Sequence, residues 1–345
     1  MSYKITVEPS GLSFEVKPGQ NILDAALEAE IVLPYSCRGG GCSTCKGKVL
    51  EGEFEAGEAP QHILEQADLD QGYTLMCQAQ PKSDMRIESP QARLTTDIQV
   101  RKLPARVMEM ERINDDVMRL TLQLPPGQPL MYYAGQYMEV IMKDGRRRSY
   151  SMANPPQENN QIELHIRHMP GGAFTDHVFG LTEPAMKERG MLRAEAPFGS
   201  FFLREESTKP LIFLASGTGF APIKALVEHM QQKNIQREIR FYWGGRRPKD
   251  IYMMELAQQW EKEIPNFTFV PVVSNALAED NWTGRTGFVH HAVVEDMNDL
   301  SGWEVYACGA PIMVESAQKD FVEKCGLDAA VFYADAFTSE ADLAS

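Results

Sequence analysis

Polar and apolar positions alternate over residues 3–7 (YKITV) and 12–16 (LSFEV), with Pro9, Ser10 and Gly11 between them. A two-residue period broken by turn formers predicts a β-hairpin. Residues 21–30 (NILDAALEAE) then set Ile22, Leu23, Ala26 and Leu27 on one face at helical spacing. A loop with three cysteines follows. Strands are expected at 46–52 (KGKVLEG), 73–80 (YTLMCQAQ) and 84–90 (DMRIESP), with the acidic stretch 53–60 as loop. Residues 1–90 thus make a compact β-rich unit of small-domain size. Residues 91–103 carry no sustained amphipathic period and read as a linker, with some strand within it left open.

From 104 to 205 the pattern is again short and strand-like, at 105–113, 117–124, 135–142, 147–153 and 161–168, with Pro, Gly and Asn between the runs. Such spacing predicts an antiparallel barrel or sandwich. One short helix is expected near 174–180. After Pro210 the period changes. Strands at 211–216, 238–245, 267–273, 303–309 and 330–334 alternate with helices at 221–232, 252–263, 288–297 and 311–325. Strand–helix alternation predicts an open, doubly wound parallel sheet over residues 206–345.

A chain of 345 residues fits this three-domain reading. The apolar fraction of 43% and charged fraction of 24% are those of an ordinary globular protein. The net charge of −14 argues against nucleic acid and anionic lipid, which need a basic surface. No apolar run reaches the roughly 18 residues of a membrane span, and the start of the chain has no signal-peptide core. The expectation is a cytoplasmic protein with no membrane partner. Six cysteines at uneven spacing in that compartment point to metal or redox chemistry rather than a disulfide framework.

Three of the six lie in residues 34–52 (PYSCRGGGCSTCKGKVLEG): Cys37-x4-Cys42-x2-Cys45, with Cys77 after thirty-one intervening residues. Two irons need four thiolates converging on a small inorganic core. One loop can supply three only if its backbone wraps the cluster, and Gly39, Gly40 and Gly41 allow this. Structural zinc is the competing reading, but it favours paired short-spaced knuckles. Free buried thiols would not cluster in this way. The spacing matches plant-type [2Fe–2S] ferredoxins, and residues 1–90 resemble such a β-grasp domain over their whole length. The resemblance implies Cys37, Cys42, Cys45 and Cys77 as the iron ligands.

Arg148-Ser149-Tyr150-Ser151 resembles the R-x-Y-S motif of the ferredoxin–NADP reductase superfamily. The resemblance implies Arg148 on flavin phosphates, Tyr150 against the isoalloxazine and Ser151 near N5. Read alone, the same four residues also suit an exposed strand. Residues 165–177 (HIRHMPGGAFTDH) are similar to the family's second flavin segment. There Gly171, Gly172 and Thr175 would shape a turn for the pyrophosphate at a helix start. His165 and Arg167 would lie along the flavin, with an unliganded strand histidine as the alternative for His165. Gly217-Thr218-Gly219-Phe220-Ala221-Pro222 resembles the family's G-T-G-x-A-P turn, with Pro222 where the dinucleotide fingerprint has its third glycine.

Cys308, Gly309 and Pro311 resemble the family's C-G-P segment at the nicotinamide, departing from it by the inserted Ala310. A small buried thiol at a strand end is the rival reading of Cys308. Phe337, in FYADAFTS, would cover the flavin face; simple packing is the rival there. Arg246 sits where this fold meets adenosine, for stacking, for pyrophosphate or for a 2′-phosphate, so the expectation is NADH with NADPH open. Three motif sets in one order resemble the reductase components of multicomponent oxygenases such as phenol hydroxylase and soluble methane monooxygenase, and reductases serving CDP-6-deoxy-hexulose dehydration. The resemblance implies FAD, a [2Fe–2S] cluster and nicotinamide, with an oxygenase or dehydrase component as acceptor. Electrons would run from nicotinamide through FAD to the cluster and leave singly, with Ser151 and Cys308 at the reacting atoms. No convincing acid–base pair or nucleophile is visible in the sequence. A free-flavin reductase and a non-enzymatic redox sensor or carrier are the alternatives.

Overall fold

The structure is a computed structural model that describes residues 2–94 and 98–338. Residues 95–97, within the expected linker, and 339–345, at the end of the expected nicotinamide domain, lie outside the described residues.

The N-terminal unit is a five-stranded sheet in the order Leu12–Val16, Tyr3–Glu8, Met85–Glu88, Lys46–Glu51, Tyr73–Leu75. Tyr3–Glu8 pairs antiparallel with its hairpin partner and parallel with Met85–Glu88, so the sheet is mixed. Helix Ile22–Glu28 starts where the Asn21 side chain accepts a hydrogen bond from the Asp24 amide at 2.7 Å. It buries Ile22, Leu23, Ala25 and Ala26 against the sheet residues Ile5, Val7 and Ile87. Full burial of one such aliphatic side chain contributes about 1.5–3 kcal/mol. The strand expected over 73–80 stops at Leu75. The chain then turns, with the Gln78 and Ala79 amides both donating to Leu75 O, and this turn carries Cys77 toward the cysteine loop. A short helix, Gln66–Asp70, was not expected.

The middle unit is a six-stranded antiparallel sheet in the order Arg147–Ser151, Tyr137–Ile141, Met191–Phe198, Arg101–Arg112, Val117–Gln123, Gln161–Arg167. A bridge between Met152 and Leu164 joins the two edges and closes it as a barrel. One feature differs from the sequence reading, and one fills in what it left open. Met191–Phe198 is a central strand where none was expected. Residues 91–103 are strand at both described ends: Arg93–Leu94 pair with Ile31–Val32, and Arg101 already belongs to the barrel.

The last unit is a six-stranded, all-parallel sheet in the order Arg285–Thr286, Phe267–Val273, Ile239–Gly245, Leu211–Ser216, Glu304–Gly309, Phe332–Ala336. Its strands read as apolar runs because both faces are covered. Leu211, Phe213 and Ala215 pack toward helices Phe220–Lys233 and Met254–Glu263. Ile212 and Leu214 pack toward Val289–Asp296 and Pro311–Cys325. The strand order reverses between Leu211–Ser216 and Glu304–Gly309, and open sheets of this kind bind ligands at that crevice.

Candidate functional site

The four cysteines of the spacing motif come together as two pairs of free thiols. Cys37 and Cys42 sulfurs lie 3.2 Å apart, and Cys45 and Cys77 sulfurs 3.3 Å apart. In each pair one thiol is shifted down and its partner up. Cys37 is brought down to about 6, first by the Cys42 thiol and then by backbone amides at Gly39, Gly41 and Cys42, against the opposing effect of burial. Cys77 is lowered by Cys45, while Cys42 and Cys45 are raised by their partners and by burial. Gly40 has φ of +81°, and a Cβ there would lie 3.2 Å from both the Gln78 side chain and the Glu58 carbonyl. Two sulfur pairs, donated amides and a backbone too tight for a side chain fit a [2Fe–2S] cluster.

The cysteine loop is docked against the rest of the molecule. The Gly199 amide donates to Tyr35 Oη at 2.7 Å, and the Tyr35 amide donates to Ser200 Oγ at 2.9 Å. Tyr137 Oη donates to the Ser36 carbonyl at 3.0 Å, and the Arg38 guanidinium lies 5.3 Å from the Phe198 ring centroid. Ser36 Oγ lies 2.6 Å from Asp335 Oδ1 and 3.0 Å from the Ala336 carbonyl, on the last parallel strand.

Asp335 stands where all three units meet. Its Oδ2 accepts from Ser151 Oγ at 3.2 Å and faces Cys308 Sγ at 3.9 Å. Burial lifts the carboxyl to about 6, opposed by hydrogen bonds from Ser36, Ser151 and Cys308. Burial also pushes the Cys308 thiol well up, with the Asp335 charge adding to it. The structure therefore brings Ser151 and Cys308 onto one carboxyl that the sequence reading did not single out. Asp335 belongs to no spaced motif, and its partners lie up to 299 residues away.

The residues expected at the flavin gather on the barrel. Arg148 and Tyr150 are both half-buried, two positions apart on one face of their strand. The Tyr150 ring lies 5.4 Å from Phe174 at the start of helix Ala173–Val178. Gly171 takes φ of +80° just before it. Thr175 Oγ1 accepts from the Met169 amide at 3.2 Å and reaches the Gly172 carbonyl at 3.1 Å, so it braces the turn. Arg167 extends to Gly217, where a Cβ would meet its guanidinium at 3.3 Å, and is held by Asp116 at 3.0 Å.

His165 lies elsewhere, in a buried network between barrel and parallel sheet. Its ring nitrogens meet Tyr252 Oη at 2.8 Å and Glu163 at 2.7 Å. The Lys224 ammonium lies 3.2 Å from Glu163 and 2.7 Å from Glu228.

At the crevice of the parallel sheet, Gly217 takes φ of +52° and Gly309 φ of +136°. A Cβ on Gly219 would fall 2.1 Å from the Cys308 carbonyl, and one on Gly309 would fall 2.2 Å from Ser216 Oγ. The Gly217-Thr218-Gly219 turn and the Cys308–Pro311 loop thus pack backbone to backbone. The Phe337 amide closes the same corner on the Gly309 carbonyl at 2.8 Å. Arg246 is exposed at the end of Ile239–Gly245, while neighbouring Arg247 is tied to Asp280 and Glu279.

A sulfur cradle, a barrel with a cation and a stacking ring, and a glycine-lined crevice, joined at one carboxyl, define an iron–sulfur flavoprotein oxidoreductase that uses nicotinamide. Comparison with known proteins carries this further. Residues 5–82 match the 2Fe-2S iron-sulfur cluster binding domain, residues 104–202 the oxidoreductase FAD-binding domain and residues 213–319 the oxidoreductase NAD-binding domain. The chain is 40% identical to the CDP-6-deoxy-L-threo-D-glycero-4-hexulose-3-dehydrase reductase of Yersinia pestis, over 98% of this chain and 99% of the relative. It is 36% identical to the phenol hydroxylase P5 protein of Acinetobacter pittii, over 92% and 89%. Among solved structures, the Amycolatopsis cytochrome P450 reductase GcoB superposes with a TM-score of 0.74 at 33% identity, covering 98% of this chain and 99% of that one. The chain belongs to this family of three-domain 2Fe-2S, FAD and NAD reductases, whose members serve oxygenases and dehydrases. Among the described residues, no helix is long and apolar enough to cross a membrane.

Proposed function

We propose that this reductase takes its electrons from NADH and delivers them, from the cytoplasm, to a separate acceptor of the dehydrase kind. The relatives from dehydrase systems support the acceptor class: they reach 40% identity, against 36% for the phenol hydroxylase component. When bound, FAD and the [2Fe–2S] cluster would supply the two-electron and one-electron redox chemistry themselves. The chain's own residues orient and insulate. Arg148 would pair with flavin phosphate through its fork, and Tyr150 would offer a flat face. Gly171, Gly172, Thr175 and Arg167 would hold the pyrophosphate side. Gly217, Thr218 and Gly219 would let the nicotinamide pyrophosphate approach the backbone. Ser151 and Cys308, which share Asp335 Oδ2, would lie at the reacting carbon, with Gly309, Pro311 and Phe337 shaping that end. Arg246 would meet adenosine. NADH is favoured because Arg247 is already neutralised by Glu279 and Asp280, whose carboxylates would repel a 2′-phosphate. Three of the four cluster cysteines are buried, and Cys37 beside exposed Gly39 would be the exit side.

One observation carries this reading: the loop holding Cys37 is hydrogen-bonded through Ser36 to the carboxyl that touches Ser151 and Cys308. Cys42→Ser should abolish reduction of a one-electron cytochrome while leaving nicotinamide-dependent ferricyanide reduction within about twofold of the parent. Loss of both activities with FAD still bound would contradict the order of transfer.

A further inference from the structure

Asp335 divides its two oxygens between two parts of the molecule. Oδ2 serves Ser151 and Cys308, while Oδ1 is met by Ser36, which lies on the cluster loop of a different domain. We propose that Ser36 is a positioning residue for the hydride end: its hydroxyl fixes the Asp335 carboxyl, and through it Ser151, so that docking of the ferredoxin module completes the nicotinamide–flavin site.

Ser36 is 6% exposed and Asp335 4%, so water does not replace either partner. A hydroxyl has one proton to give. Of its two acceptors the carboxylate is the nearer, at 2.6 Å against 3.0 Å for the Ala336 carbonyl. Rotation of an aspartate about its last bond is soft and nearly two-fold. Without a donor on Oδ1 the carboxyl is free to turn away from Ser151, or to take both oxygens toward it. The Ser36 backbone is meanwhile fixed by Tyr137 on its carbonyl, and by Tyr35 before it with partners Gly199 and Ser200. Removing the hydroxyl therefore changes the carboxyl's partner and leaves the loop in place. The consequence is directional: when the module lifts away to meet an acceptor, Asp335 loses a donor, and the entry end of the molecule is complete only while the exit end is docked. Simple adhesion between domains is the competing account, and Gln91 provides the control. Its amide ties the segment that directly follows the N-terminal module to the start of the same strand, 3.1 Å from the Phe332 carbonyl and from the Ala330 carbonyl just before it, without touching Asp335.

The inference rests on the function proposed above, and the test separates the two. In full-length holoprotein, stopped-flow reduction of bound FAD by NADH is compared with the flavin midpoint potential from spectroelectrochemistry. Ser36→Ala should slow flavin reduction by about tenfold and shift the flavin potential, with the visible cluster spectrum unchanged. Ser36→Thr should restore both. Gln91→Ala should match the parent. In an Asp335→Asn background, Ser36→Ala should add less than about twofold, because both act through one carboxyl. Parental rate and potential in Ser36→Ala, an equal loss in Gln91→Ala, or full additivity with Asp335→Asn would overturn the role. A parent holoprotein whose FAD is not reduced by NADH at all would overturn the function and this inference with it.

Discussion

Asp335 carries a carboxyl into a place that water does not reach. Its value of about 6 lies above the ordinary aspartate range, so the folded chain binds that proton more tightly than the unfolded chain. Stability from this group is therefore full at low pH and declines as pH rises from about 4 to about 6. Asp335→Asn removes the titration. Relative to the parent, this variant should gain on the order of 3 kcal/mol between pH 4 and pH 7, read by calorimetry at both ends. A difference that stays flat with pH would contradict the assignment.

The same scale explains what the sequence could disclose. Four cysteines at cluster spacing are legible because ligand geometry is nearly local: three lie within nine residues. Arg148 and Tyr150 are legible because alternation places them on one strand face. Asp335 and Ser36 are not, because a lone aspartate in an apolar strand has no neighbour in sequence that explains it. His165 shows the converse. It shares a strand face with Arg167, two positions on, which suggested a flavin contact, yet its ring is held by Glu163 and Tyr252 under the parallel sheet.

Between elements, the glycines of the parallel sheet matter for what they leave out. A methyl group at Gly219 would overlap the Cys308 carbonyl, which is backbone and has no rotamer to yield. Gly219→Ala should spread the turn from the Cys308 loop. It should raise KM for NADH by about tenfold or more and cost about 1–3 kcal/mol of stability, measured by steady-state kinetics and denaturant titration. The doubly wound sheet was readable from apolar runs alternating with helices. The barrel was readable in kind, but Met191–Phe198 was not, although it is central. Its residues MLRAEAPF include alanines and a proline, which weaken a strand signal that tertiary pairing on both sides restores. The strand ending at Leu75 rather than 80 has a comparable cause, since Cys77 must leave the sheet to face Cys45.

Across the molecule, charge sets how partners meet. The chain carries a net charge of −14. Reduction of a basic cytochrome should slow several-fold between roughly 20 and 300 mM salt, while ferricyanide reduction, which needs no protein docking, should not slow in parallel. Stopped-flow traces at several salt concentrations check this, and equal slowing of both would assign the effect to the flavin end.

Ser36 and Asp335 also set an order on biosynthesis. The cluster-holding unit can emerge from the ribosome and fold while most of the polypeptide is still unmade. Its contact with the carboxyl has to wait for Asp335, 299 residues after Ser36, to be translated. Iron loading and the final seating of that loop are therefore separable events in the life of each new copy.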